Sequence, residues 1–106
     1  MIAFHDNLML EIKAGLATAL GERLRGVYLY GSYARGDADS ESDLDVLIVL
    51  DRIDHYAGEV DRTGQLIADL SLEHGISISP VFVSQWDWEH GDTTFLSNVR
   101  DEAIPA

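Results

Sequence analysis

The sequence predicts an α/β (α+β) chain folding as one domain over residues 1–106. Three observations predict it. Two long segments repeat apolar residues every three or four positions, as amphipathic helices do. Three short segments rich in β-branched and aromatic residues alternate with them. The length of 106 residues supports one hydrophobic core and is too short for an added large substrate domain. No internal repeat or low-complexity linker divides it.

Residues 2–24 are expected to be helical, with Met9, Ile12, Leu16 and Leu20 as the apolar stripe. Gly15 inside this helix disfavours it by about 1 kcal/mol relative to alanine. Residues 26–30, GVYLY, predict a strand. GSYARG follows, with a helical turn, and DADSES makes a polar acidic loop. Residues 43–50, DLDVLIVL, begin in alternation and end in a continuous apolar run, the pattern of a strand covered on both faces. A helix is predicted from Asp54, as N-cap, to His74, with Val60, Ile67 and Leu70 on its buried stripe and Gly75 as a left-handed cap. Residues 76–83, ISISPVFV, predict a third strand, and Pro80 assigns it to an edge or breaks its ladder. Ser84 and Asp87 mark the start of a short helix. A final helix is predicted from Asp92 to Ala103, ending before Pro105.

Composition excludes several classes. There is no cysteine, so disulfides, thiolate zinc sites, iron–sulfur clusters and cysteine nucleophiles are ruled out. The balance is acidic: 19 Asp plus Glu against seven Lys plus Arg, a formal charge of −12. Direct binding to nucleic acid or to an anionic membrane is therefore not expected, whereas a basic protein partner or divalent metal is. No apolar run reaches the ~20 residues of a membrane span. The start, MIAFHDNLML, has neither a basic leader nor a cleavage site, so no signal peptide is expected and a cytoplasmic location is.

One segment carries chemistry: GSYARGDADSESDLD, Gly31 to Asp45. Asp43 and Asp45 stand at i and i+2 of a predicted strand, so both carboxylates share a face. Their mutual repulsion is relieved by a divalent cation, and hard oxygen ligands suit Mg²⁺. Gly31 ends the preceding strand and lets phosphate approach the backbone, with positive φ allowed. Ser32 offers a hydroxyl, and Arg35 a charge for phosphate or a tie to the acidic loop. Phosphate donors on one strand end thus face metal ligands on the next.

GSYARGDADSESDLDVLIVL resembles the signature of the polymerase-β-type nucleotidyltransferases. More narrowly, the chain is similar to the minimal nucleotidyltransferase (MNT) domains that serve as antitoxins in HEPN–MNT toxin–antitoxin modules. The resemblance implies the minimal polymerase-β-like nucleotidyltransferase fold, a small mixed sheet flanked by helices. It implies transfer of a nucleotidyl group, usually AMP from ATP, to a hydroxyl. Gly31 and Ser32 would hold the β- and γ-phosphates, with Arg35 beside them, and Asp43 and Asp45 would hold two Mg²⁺ ions. The implied acceptor is a tyrosine of a partner HEPN ribonuclease toxin, in a hetero-oligomer. One departure stands out. The family usually carries a third carboxylate on the next strand, and Ile76–Val83 has none; Ser77 or Ser79 stands there. Asp69 and Glu73, on the preceding helix, reach in only with unusual geometry. The departure supports the alternative of a catalytically weak MNT-fold antitoxin that neutralises its partner by binding alone.

Other polar residues have plainer expectations. Asp37, Asp39 and Glu41 suit a solvated loop. His5, His55, His74 and His90 lack ligand spacing and suit surface or capping positions, His74 at a helix C-terminus. Trp86 and Trp88 are expected to pack rather than bind a partner.

Overall fold

The structure, a computed structural model, describes residues 4–106. The predicted helical residues Ile2 and Ala3 lie outside the described residues. In order, the elements are α1 (Phe4–Leu20), a 3₁₀ turn (Gly21–Arg23), β1 (Leu24–Tyr30), α2 (Ser32–Arg35), β2 (Leu44–Leu50), α3 (Tyr56–His74), β3 (Ile78–Ser84), α4 (Gln85–His90), α5 (Thr94–Glu102) and β4 (Ile104–Pro105). The strands form one mixed sheet in the order β3-β2-β1-β4. β1 pairs antiparallel with both β2 and β4, and β2 pairs parallel with β3.

The apolar run of β2 is explained by its central place. Val46, Ile48 and Leu50 join the cluster under α1 and α3, while Leu47 and Val49 pack with Val99 of α5 on the opposite face. All five are at most 2% exposed, and each such side chain contributes about 2 kcal/mol of burial. The α1 stripe of Met9, Ile12, Leu16 and Leu20 is buried as its spacing predicts, joined by Leu8. A Cβ on Gly15 would lie 2.5 Å from Leu66 Cδ1, so this glycine lets α1 and α3 approach closely.

Several boundaries differ from expectation. The first helix stops at Leu20 rather than residue 24, because Leu24 is taken into β1 opposite Leu50. The N-cap of α3 is His55, not Asp54, and its side chain makes no cap bond; Asp54 instead pairs with Arg52 at 3.4 Å. Val60 is 41% exposed, and the buried stripe of α3 is Glu59, Thr63, Ile67 and Leu70. The reason is Arg23. Its guanidinium donates to both Glu59 oxygens, at 3.1 and 2.5 Å, and to Asp51 Oδ1 at 3.2 Å. Arg62 donates to Glu59 Oε1 at 2.6 Å. Hydrogen bonding from Arg23 holds the Glu59 carboxyl below its usual range, so this acid stays charged although buried. Gly75 caps α3 with φ +65°.

β3 is an edge strand, as Pro80 requires; the proline stands opposite Val46. Ser84 Oγ accepts from Asp87 N–H at 3.1 Å and caps α4. The last helix starts at Thr94 rather than Asp92, and Thr93 caps it, its hydroxyl accepting from Leu96 N–H at 3.2 Å. Pro105 belongs to the unpredicted strand β4, where Ile104 and Pro105 stand opposite Leu29 and Tyr28. Trp88 packs on Tyr28 with ring centres 4.8 Å apart, but Trp86 is 67% exposed, its ring 5.0 Å from that of His90, against the expectation of packing. Among the described residues no helix is long and apolar enough to cross a membrane.

Candidate active site

β1 runs into Gly31, whose φ of +76° and ψ of −154° belong to a region that side-chain-bearing residues essentially never occupy. A Cβ here would overlap Asp45 Oδ2, with Asp45 Cγ only 3.0 Å away. Only glycine lets the chain turn this close to that carboxylate. Ser32 to Arg35 then close one helical turn: Arg35 N–H donates to Gly31 O, and Gly36 N–H and Asp37 N–H both donate to Ser32 O, each at 3.0 Å. The acidic loop closes on itself through Asp39, whose Oδ1 accepts from Glu41 N–H at 2.8 Å. Asp37 and Glu41 remain exposed as expected, although Asp37 pairs with Arg35 at 3.3 Å.

Asp45 stands directly opposite Tyr30 in the β1–β2 ladder. Asp43 lies just before β2, not within it, and Leu44 between them is fully buried, with its N–H donating to Ser77 O at 2.8 Å. The two carboxylates line neighbouring pockets. Asp45 joins Gly31, Ser32 and Arg35 in a cleft of about 700 Å³. Asp43 lines a smaller one, about 390 Å³, with Ser42, His74 and Ser77. Partial burial, then the charge of Asp43, push the Asp45 carboxyl above its usual range, with Arg35 opposing. Burial and the Asp45 charge also push the Tyr30 hydroxyl up to about 12.

The far wall of the larger cleft is α5, a helix the sequence predicts but does not place at the site. Phe95, Asn98, Val99 and Glu102 line it. Their spacing of i, i+3, i+4 and i+7 marks one helix face, a signal present in the sequence, though nothing local says what that face meets. Glu102 brings a carboxylate to the site: its Oε1 accepts Gly31 N–H at 2.9 Å, and Arg35 Nη1 donates to its Oε2 at 3.2 Å. Ser79 is the β3 residue in register with Asp45, so β3 supplies no acid. Asp69 and Glu73 do not reach in. Asp69 accepts from Gln65 at 2.7 Å, and Glu73 clusters with Glu11 and His74 between α1 and α3. His74 ends α3 and pairs with Glu11 at 2.6 Å.

Comparison with known proteins bears on the family and the fold. A nucleotidyltransferase domain model matches residues 12–84. The chain is 39% identical over 98 residues to a candidate protein adenylyltransferase of Methanocaldococcus jannaschii, covering 92% of this chain and 94% of that one. A crystal structure of a toxin–antitoxin with AMP-PNP has the same fold, with TM-score 0.65 at 19% identity over 92% of this chain and 70% of that chain. The structure of a candidate minimal nucleotidyltransferase gives TM-score 0.61 at 25% identity, over 95% of this chain and 94% of that one. Alike in sequence and in fold over nearly its full length, the chain belongs to the nucleotidyltransferase-domain family and is a nucleotidyltransferase.

Proposed function

We propose that this nucleotidyltransferase moves AMP from ATP to a tyrosine hydroxyl of a cognate HEPN-family ribonuclease, and so acts in the cytoplasm as its antitoxin. The observation that carries the reading is the glycine-only turn at Gly31 set against Asp45, because it joins backbone donors to a strand carboxylate across one open cleft. Gly31 N–H, the Ser32 hydroxyl and Arg35 are the anion-binding groups for the triphosphate. The donor set of Asp43 and Asp45 fits Mg²⁺: both offer hard oxygens, and a bound cation would offset the burial and the Asp43 charge that push the Asp45 carboxyl up. Held there, Mg²⁺ would neutralise charge on the triphosphate and favour ionisation of the attacking hydroxyl, whose pKa is otherwise near ~10.

In the transfer, the tyrosine hydroxyl gives up its proton to water, its oxygen forms a bond to the α-phosphorus, and pyrophosphate departs as that phosphorus loses its bridging oxygen. The chain works as one minimal domain, 1–106, with the acceptor delivered by the partner. The formal charge of −12 suits a basic, RNA-binding partner. Relatives support this direction, one named for protein adenylylation and one solved as a toxin–antitoxin. Ser79 beside Asp45 favours a second reading, neutralisation by binding alone. Incubation with the partner, ATP and Mg²⁺ separates the two: transfer adds about 329 Da per event to the partner, a mass set by the modification itself. Neutralisation with no added mass, undiminished in the Asp43→Asn, Asp45→Asn protein, would leave only the second reading.

A further inference from the structure

Glu102 is an acid placed among acids. It lines the same cleft as Asp45 and Asp101, and its side chain is only 25% exposed. Its charge adds to those that raise the Asp45 carboxyl. Such a position is unfavourable unless donors hold it, and two do. Gly31 N–H donates to Oε1 at 2.9 Å, while Arg35 Nη1 donates to Oε2 at 3.2 Å and to Oε1 at 3.5 Å. These are the backbone and side-chain donors that the proposed function gives to phosphate. The structure thus holds a carboxylate where a phosphate oxygen would sit.

Glu102 is also anchored. It is the last residue of α5, whose Val99 is 3% exposed and packs on Leu47 and Val49. Two residues later Ile104 is opposite Leu29 in the β1–β4 ladder, and Ala106 N–H donates to Val27 O at 2.9 Å. The carboxylate is delivered to the Gly31 turn by a segment fastened on both sides.

We propose that Glu102 is a built-in competitor for the phosphate seat: nucleotide binds only by displacing its carboxylate from Gly31 N–H and Arg35, and Glu102 thereby sets the affinity of the site. The inference rests on the nucleotide site proposed above. A ligand must present enough negative charge to replace an anion that the fold already supplies, which favours a triphosphate chain over a single weakly charged group. The displaced carboxylate must leave the two donors, by rotation of its side chain or by movement of the end of α5.

The test is calorimetric titration of ATP with Mg²⁺ into the wild type, Glu102→Ala, Glu102→Gln and Asp101→Ala. Asp101 lines the same cleft, and no hydrogen bond joins its side chain to Gly31 or Arg35, so its variant reports the through-space effect of removing one cleft charge. Glu102→Ala should bind ATP about ten-fold tighter, the fold-change matching one released charge-assisted hydrogen bond, and should exceed Asp101→Ala. Glu102→Gln, which keeps an acceptor for Gly31 N–H but loses the charge on Arg35, should fall between wild type and Glu102→Ala, and carries the comparison if the alanine variant does not fold. Equal tightening in the Asp101 and Glu102 variants would reduce the effect to bulk charge and overturn the competitor. Weaker ATP binding without Glu102 would make the residue a support of the bound state and overturn it too. ATP binding by none of the folded proteins would instead overturn the nucleotide site itself, and the competitor with it.

Discussion

Replacing Gly31 with alanine tests the turn on which the site depends. At φ +76° and ψ −154° the backbone is in a glycine-only region, and holding alanine there costs about 2 kcal/mol. The new Cβ overlaps Asp45 Oδ2, so the carboxylate or the turn must move. If the turn moves, Gly31 N–H leaves Glu102 Oε1, now 2.9 Å away, and another ~1 kcal/mol is lost with that hydrogen bond. The sum is roughly 3 kcal/mol, which lowers the melting temperature by about 15 °C in a domain of this size. The assay is thermal unfolding by circular dichroism, without and with Mg²⁺-ATP. In the wild type, ligand at a hundred times its dissociation constant adds about 2.7 kcal/mol; in Gly31→Ala that gain should vanish. Gly64→Ala is the control, because Gly64 lies in α3 with nothing near its added Cβ and so should not destabilise. If Gly31→Ala melts with the wild type and responds equally to ATP, the turn is neither strained nor part of a nucleotide site.

Two further outcomes follow from the charged groups. Arg23→Met keeps the aliphatic stem but strips Glu59 of its main partner, leaving Arg62, and should cost about 3 kcal/mol in urea unfolding at neutral pH. Because Arg23 depresses the folded-state pKa of Glu59, that contribution is present above the ordinary glutamate range near ~4.3 and is lost as pH falls through the lower folded value, so wild type and variant should converge in acid. Asp45→Asn should act in the opposite sense. The folded-state pKa of Asp45 is raised, so its ionised form opposes folding at pH 7; the variant should be more stable there, lose that advantage as pH falls through the aspartate range, and show no Mg²⁺-ATP stabilisation. A destabilised Asp45→Asn protein at pH 7 would show that burial and Asp43 do not strain this carboxylate.

Much of this protein was legible from neighbouring residues alone. The buried stripe of α1, the doubly covered β2, the edge position of β3, the caps at Gly75 and Ser84, and the positive φ of Gly31 all follow from period, turn chemistry and motif, which depend on residues a few positions apart, whereas the contact of Gly31 with Asp45 does not. Tertiary structure alone decided the rest. Glu59 replaces Val60 on the buried face of α3 because Arg23, 36 positions away, meets it there. Ile104–Pro105 become a strand only because β1 offers a free edge; two residues carry no period of their own. Glu102 reaches Gly31 across 71 positions, delivered by packing of α5 on the sheet face opposite α1 and α3. Local pattern specifies which face of an element is apolar, whereas which polar groups then meet across the core is set by how the faces pair, and that pairing is a property of the whole chain.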